Sequence, residues 1–574
     1  MCGPRAAGGL LASVMLASAC AGGEVPNDDV TSTAPATTAR ATTVVVNGSI
    51  YTVDDGLTTA EAFAYGADGV IIAVGTEAEV IAAAGADAEV LDAGGNMVLP
   101  GFQDIHVHVP EAGLNLDVCF FPGGRDLAEY ETLAVDCAET QPDDEWVRAA
   151  GASLFDLRAT EESPLEVLDR AVPDRPAIVL DDLGHAVWTN SLGLEAAGIS
   201  PDDHDPQGGV FHRDATGRLT GLLLEDAQQL VRNAAAPSAD TSYRGLLSSL
   251  DELASNGVTS VSDAGGYWAQ GHQTVWERAR DEGTLTVRAA NSLYVYPSQR
   301  LDDQLAEFDL RFDDGGDLLR FDTAKVYVDG ILDLGTALLL DPYQVPIDDN
   351  YPSGFSYFGQ EQLVTYVSEL HRLGYRINFH AIGDKAIRDA LDAVEAIDAD
   401  RDSTADRRHR ITHAYLVDAA DIARFADLGV IADFQQSPDA IATEYHEYLS
   451  TFIGETAFDL IPTAQLVEAG ATVTLSSDWD AGPLPPLGTI ERSLTRATNA
   501  ITDLASAIAM HTIDAAYALG HDDTTGSIEV GKFADFVIVD QHLFDIDVDA
   551  ISRTQVLYTV LGGRVTYQAP SFSP

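Results

Sequence analysis

The sequence predicts an α/β protein: a (β/α)8, or TIM, barrel, with a small β-sandwich domain built from both chain ends and an insertion after barrel strand 1. Three observations predict it. Eight buried-strand runs alternate with helical segments over residues 98–524: Val98 to His108, Val258 to Asp263, Leu285 to Leu293, Phe321 to Val328, Tyr375 to His380, His409 to His413, Val430 to Gln435 and Thr472 to Asp478. Short β-branched runs broken by turn signals occur at both ends of the chain. The stretch 110–240 is too long for a βα loop and has a strand-like run of its own, Ala177 to Leu180, so it is expected to form a subdomain over the barrel mouth.

The chain has 574 residues, enough for a large core, and its 46% hydrophobic and 21% charged content is that of a globular protein. A net charge of -59 argues against nucleic acid as a partner, because a phosphate backbone would be repelled. Lysine is nearly absent: Lys325, Lys385 and Lys532 are the only ones, so each needs a local reason.

Residues 1–19 carry one early arginine, an apolar run and small residues before Cys20, the pattern of a secretory signal too short to span a membrane. L-A-S-A-C resembles a bacterial lipoprotein processing site, with Cys20 as the lipidated first residue, although Ala17 rather than Leu16 stands three residues before it. Cleavage near Ala19 and free secretion is the alternative. The expected localisation is therefore exported, with membrane contact only through a lipid anchor. Residues 20–43 are rich in Thr, Ala, Pro and Asp and read as a flexible tether. In an oxidising compartment the remaining cysteines, Cys119 and Cys137, are most simply a disulfide; two buried thiols are the alternative.

Residues 44–97 and 525–570 supply the sandwich strands. Val44 to Val46, Ser49 to Val53, Val70 to Val74 and Glu89 to Leu91 at one end, and Phe536 to Val539, Val556 to Val560 and Arg564 to Tyr567 at the other, read as antiparallel strands.

The chemistry begins in the first barrel run, V-L-P-G-F-Q-D-I-H-V-H-V. Strand side chains alternate faces, so Asp104, His106 and His108 share one side, and two imidazoles at i and i+2 can grip one metal ion. Later runs end in further ligand types: Lys325 in the fourth, His380 in the fifth, His413 in the sixth and Asp478 in the eighth. Arg376, Asn378 and His380 alternate with apolar residues, as do Thr474, Ser476 and Asp478, which turns the polar set into the barrel. Barrel enzymes carry reactive groups at the carboxyl ends of their strands, so these residues point to a metal site.

The set resembles the amidohydrolase superfamily and, within it, the amidohydrolase 3 (YtcJ-like) group. The resemblance runs from about Val44 to Gln568 through V-L-P-G-F-Q-D-I-H-V-H, D-L-G-H-A-V-W-T-N-S, G-V-T-S-V-S-D-A-G, K-V-Y-V-D-G, H-A-I-G-D-K-A, R-I-T-H-A, S-S-D-W and G-S-I-E-V-G-K-F-A-D-F-V-I-V-D. It implies two divalent ions, Zn2+ by preference, one held by His106 and His108 and the other by His380 and His413. It further implies a Lys325 carbamylated by carbon dioxide, Asp478 as metal ligand and general base and acid, Asp104 behind a histidine, and His185 reaching the substrate. Phe155, Trp188, Tyr327 and Trp479 are candidate apolar walls. After K-V-Y-V-D-G the chain reads I-L-D-L-G-T-A, where many relatives are richer in Ser and Arg.

The expected function is metal-dependent hydrolysis of a non-peptide C-N bond in a small molecule, an N-acyl or N-formyl amine or a cyclic amide. The same machinery acting on a lactone or ester, or as a deaminase, is the alternative; so is a lipoprotein that binds a solute without turnover. The sequence carries no nucleophile elbow, dinucleotide fingerprint or phosphate loop to favour other enzyme classes.

Overall fold

The computed structural model describes residues 41–158, 160, 162–346, 350–398 and 408–574. The expected signal, Cys20 and residues 20–40 of the expected tether lie outside the described residues, as does the side chain of Phe155.

Eight parallel strands form one sheet in chain order: β1 (Phe102–Val107), β2 (Val258–Asp263), β3 (Arg288–Tyr294), β4 (Leu319–Tyr327), β5 (Arg376–Ala381), β6 (Arg410–His413), β7 (Ile431–Gln435) and β8 (Val473–Ser476). Helices lie between most of them, giving the α/β barrel that the alternating runs predict. The ring closes just beyond β8, where the Asp478 N–H donates to the His106 carbonyl at 2.8 Å and the His108 N–H donates to the Trp479 carbonyl at 2.7 Å. Inward-facing polar side chains satisfy one another in the barrel interior. Asp433 accepts from Thr412, Thr474 and Ser476 hydroxyls at 2.8, 3.0 and 2.8 Å and from the Gln435 amide at 3.0 Å, and Arg410 donates to the Ser262 hydroxyl at 2.8 Å.

Several strand boundaries differ from expectation. Val98 to His108 is two strands: Met97–Pro100 belongs to the sandwich, and only Phe102–Val107 enters the barrel. Proline cannot donate to a ladder, and Gly101 leaves no room for a side chain, since a Cβ there would fall 2.2 Å from Thr259 Oγ1. The eighth run ends at Ser476, so Asp478 reaches the barrel mouth from a turn rather than by strand alternation.

The chain ends form two sheets. One has the order Ile71–Gly75, Ala62–Gly66, Ala41–Val46, Glu89–Asp92; the other runs Arg564–Gln568, Val556–Leu561, Phe536–Val539, Met97–Pro100, Ser49–Tyr51, Thr59–Ala60. Phe63, Tyr65, Val98, Phe536, Ile538 and Val560 are buried together between them. Residues 41–43, expected in the tether, are already strand, with Thr43 paired to Tyr65 and Glu89. The strands are not all antiparallel: Ala41–Val46 runs parallel to Glu89–Asp92, because the helix Glu77–Ala84 carries the chain back across the sheet.

The stretch after β1 folds a six-stranded sheet in the order Cys119–Phe120, Val147–Ala152, Ala177–Asp181, Ala186–Thr189, Leu219–Glu225, Gly209–Arg213. Alternation splits its faces: Ile178, Val187 and Leu223 pack in a core of their own, while Val179, Trp188 and Leu224 join the main core. Cys119 and Cys137 are joined by a disulfide that ties the edge strand to the helix Leu127–Thr140.

Barrel and sandwich meet at a buried ion pair. Arg288 of β3 donates through Nε and Nη2 to the two oxygens of Asp535 at 2.7 and 3.1 Å, with both side chains 5% exposed or less. Asp535→Ala would strand the guanidinium away from water. A loss of about 3–5 kcal/mol is expected, read as a lower denaturant midpoint.

Candidate active site

Each site residue is set by a strand end. His106 is the fifth residue of β1, and His108 follows its end at the start of the helix Val109–Asn115. Lys325 lies two residues before the end of β4, His380 is the fifth residue of β5 and His413 is the last of β6. His413 and Asp478 adopt left-handed backbone angles, with φ of 73° and 56°. For a non-glycine residue this costs about 1–2 kcal/mol, strain that is held in place where a side chain must be aimed.

Three donors converge. Asp478 Oδ1 stands 3.2 Å from His106 Nε2 and 3.3 Å from His108 Nε2, and among the described residues these three form the group of His, Cys and acidic donors able to hold one ion. A tetrahedral ion with arms of about 2.0–2.1 Å needs donors about 3.3–3.4 Å apart, so the separations fit a divalent cation. Lys325 Nζ lies 3.1 Å from His106 Nε2. The His413 ring is 5.0 Å from that of His106 and 4.4 Å from that of His380, so the second expected pair adjoins the first. His380 stacks on Tyr327 at 4.3 Å, with its Nε2 3.3 Å from the Gly330 carbonyl and its buried Nδ1 without a partner among the described residues.

Burial dominates the electrostatics. It pushes the His106 and His380 imidazoles well below their ordinary range and that of His413 to about 3, leaving the rings neutral. Burial also lowers the Lys325 amine to about 7, although the Asp478 carboxylate pulls the other way. Burial would raise Asp478, but the adjacent His106 and the contacts from His106 and His108 hold it well below the usual carboxylate range.

Asp104 does not orient an imidazole. Its Oδ1 accepts the main-chain N–H groups of His106 and Ser477, each at 3.2 Å, and so joins β1 to the turn after β8. Trp188 is not a wall of the site: it lies in the insertion, 1% exposed, donating to the Pro164 carbonyl and edge-on to Tyr130. Asn190 beside it caps the helix Ser191–Ala196. His185 does reach the site, its ring 5.0 Å from that of His380. His108, His185, Tyr327, His413, Asp478 and Trp479 line one pocket of about 390 Å³, with Leu116 and Phe120 among the other residues of its wall.

Three residues outside the expected set complete the surroundings. Glu225, 1% exposed, accepts from His185 Nδ1 at 2.6 Å, from the Tyr357 hydroxyl at 2.7 Å and from Thr336. Burial would lower the His185 imidazole, but the Glu225 carboxylate raises it above its ordinary value. Asp329 accepts main-chain N–H groups of Leu338, Ile382 and Gly383 at 2.8, 3.0 and 2.9 Å, pinning the segments after β4 and β5 together. Glu111 contacts His108. Glu225 closes the apolar run L-T-G-L-L-L-E and Glu111 stands three residues after H-V-H, faint marks that by themselves set neither apart in the sequence.

A closed barrel with histidines, a lysine and an aspartate gathered at its carboxyl end defines a hydrolase of the amidohydrolase class. The family model described as "Amidohydrolase family" matches residues 89–567, and the chain belongs to that family. It is 29% identical over 558 residues to the N-substituted formamide deformylase of Arthrobacter pascens, covering 92% of this chain and 98% of that one. It is 26% identical over 493 residues to the protein YtcJ of Bacillus subtilis, covering 83% and 89%. Among solved structures it is similar in fold to an uncharacterized metal-dependent hydrolase of Pyrococcus horikoshii, with a TM-score of 0.70, 22% identity and coverage of 88% and 99%. The protein is thus a hydrolytic enzyme of this family.

The depressed Lys325 amine has a measurable sign. Without metal and carbon dioxide, the folded protein sheds the Lys325 proton near pH 7, whereas the unfolded chain keeps it to about 10.5. The unfolded state therefore holds the extra proton between those values, and stability falls as pH falls from about 10 to 7. Lys325→Met removes this cost. The stability gap between variant and wild type is expected to widen by about 1.4 kcal/mol for each pH unit lowered through that window; a gap constant with pH would contradict it.

Proposed function

We propose that the protein hydrolyses a non-peptide carbon–nitrogen bond in a small N-acyl amine, with N-formyl amines foremost. One observation carries the reading: a single carboxylate oxygen, Asp478 Oδ1, stands between His106 Nε2 and His108 Nε2 at the wall of a pocket. The likeness to an N-substituted formamide deformylase over nearly the whole of both chains supports the choice of bond.

His106, His108 and Asp478 would hold a divalent ion, and we assign His380 and His413 to a second, zinc in both cases. A divalent cation there supplies a Lewis acid that polarises a carbonyl and acidifies water. Lys325, an amine buried against His106, is assigned to carbamylation: its nitrogen bonds to the carbon of carbon dioxide and gives up a proton, turning a donor into a pair of acceptor oxygens. Asp478, the most exposed of the three clustered donors, takes the proton from the attacking water and returns it to the leaving nitrogen. His185 has its Nδ1 committed to Glu225, which leaves Nε2 to donate to the carbonyl oxygen as charge develops there. Leu116 and Phe120, apolar and more than half exposed, face the substituent on nitrogen. The Cys119–Cys137 disulfide supports export to an oxidising compartment, where we place the enzyme.

Asp478→Asn is expected to lower kcat on the best formamide or amide by about 10²–10⁴ while the protein still binds metal. Metal analysis of the purified wild type, expected at about two ions per chain, and a hydrolysis panel of formamides, amides and lactones test the rest. Turnover of lactones alone would overturn the choice of bond, and unimpaired turnover by Asp478→Asn would overturn the role of Asp478.

A further inference from the structure

Glu111 stands between the metal centre and the insertion. Its Oε2 lies 3.2 Å from His108 Nδ1, the ring nitrogen facing away from Asp478. Its Oε1 pairs with Arg232, on the insertion helix Gln228–Ala234. The guanidinium is fixed in turn, 4.8 Å from the centre of the Tyr267 ring and with Nη1 donating to Gln228 Oε1 at 3.3 Å. The three side chains are 13%, 11% and 9% exposed, so the contacts are made largely out of water. The loop after β2 is shaped around them. A Cβ on Gly265 would fall 2.7 Å from both Glu111 Oε2 and His108 Nδ1, so a larger residue would prise the two apart. Glu111 and Arg232 also border both the 390 Å³ pocket and a neighbouring cavity of about 520 Å³, and thus stand in the partition between them.

We propose that Glu111, held by Arg232, is a positioning residue for the metal centre: it keeps the His108 proton on Nδ1 and turns Nε2 toward the ion, so that the insertion sets metal affinity through one ion pair. The inference rests on reading His106, His108 and Asp478 as metal ligands. The physics is that of a carboxylate behind a ligating imidazole. Accepting the N–H fixes tautomer and ring orientation, and the negative charge makes the opposite nitrogen a stronger donor. Arg232 holds the carboxylate on the far side of the ring, where it cannot swing round to compete for the ion. Three elements distant in sequence, the helix after β1, the insertion helix and the β2 loop, therefore converge on one nitrogen.

The test is Zn2+ affinity by competition with a chromophoric chelator, alongside the thermal midpoint of the metal-free protein. Glu111→Ala is expected to weaken zinc binding about 10–100-fold. Glu111→Gln, whose amide oxygen can accept the same N–H without charge, is expected to recover part of that loss. Arg232→Met is expected to weaken binding by a smaller factor, and Arg278→Gln, which breaks an exposed pair with Asp240, to leave it unchanged. Affinity within twofold of wild type in Glu111→Ala overturns the inference, as does a Glu111→Gln no better than Glu111→Ala. Should Glu111→Ala fail to fold, Arg232→Met decides the matter in the same way. A wild type that binds no zinc overturns the metal-centre reading instead, which separates the two failures.

Discussion

Closure of the barrel is the interaction on which the site depends. The two main-chain hydrogen bonds that join the last strand to the first involve His106, His108, Asp478 and Trp479. The side chains of three of these are the clustered donors, so shutting the sheet and bringing those donors together are one event. Asp104 reinforces it, binding main-chain N–H groups on both sides of the seam. An open barrel would leave His106 and His108 without their carboxylate. The left-handed angle at Asp478 is the local cost of turning its side chain back over the first strand.

A pocket holding several imidazoles, an amine and a carboxylate out of water is stable only if the groups share few charges. Burial drives the imidazoles and the amine toward their neutral forms, which are also the forms that bind metal, while Asp478 keeps its charge because it is surrounded by nitrogen. The insertion adds a second carboxylate system, behind His185. Glu225 gathers a histidine, a tyrosine and a threonine from three separate stretches, tying the insertion to the segment after β4. That segment is I-L-D-L-G-T-A. Its threonine thus acts in holding the pocket wall.

Much of the barrel is legible in the sequence because each strand is a short apolar run with one polar face, and the period of two is a local signal. What spoils the boundaries is equally local. Met97–Pro100 and Phe102–Val107 read as one run, since both are apolar and only a Pro-Gly pair marks where the chain passes from sandwich to barrel. Strand alternation picks out Asp478, but the structure delivers it through a turn that alternation does not describe. His106, His108, Lys325, His380 and His413 stand out as ligand types at strand ends. Glu111 and Glu225 do not, because what distinguishes them is the company they keep in three dimensions: Arg232 lies 121 positions beyond Glu111, and Tyr357 132 beyond Glu225. Trp188 shows the converse, a conspicuous residue three positions after His185 whose side chain is buried in the main core.

The strand Met97–Pro100 sits between a neighbour from its own end of the chain, Ser49–Tyr51, and one from the far end, Phe536–Val539. Until the latter has been synthesised, the row of amide and carbonyl groups along one side of Met97–Pro100 has no native mate and remains open to pairing with other chains. The whole barrel is laid down in the interval. Contacts this distant along the chain are slow to form. The nascent chain therefore carries an unpaired strand edge until Phe536–Val539 has been made.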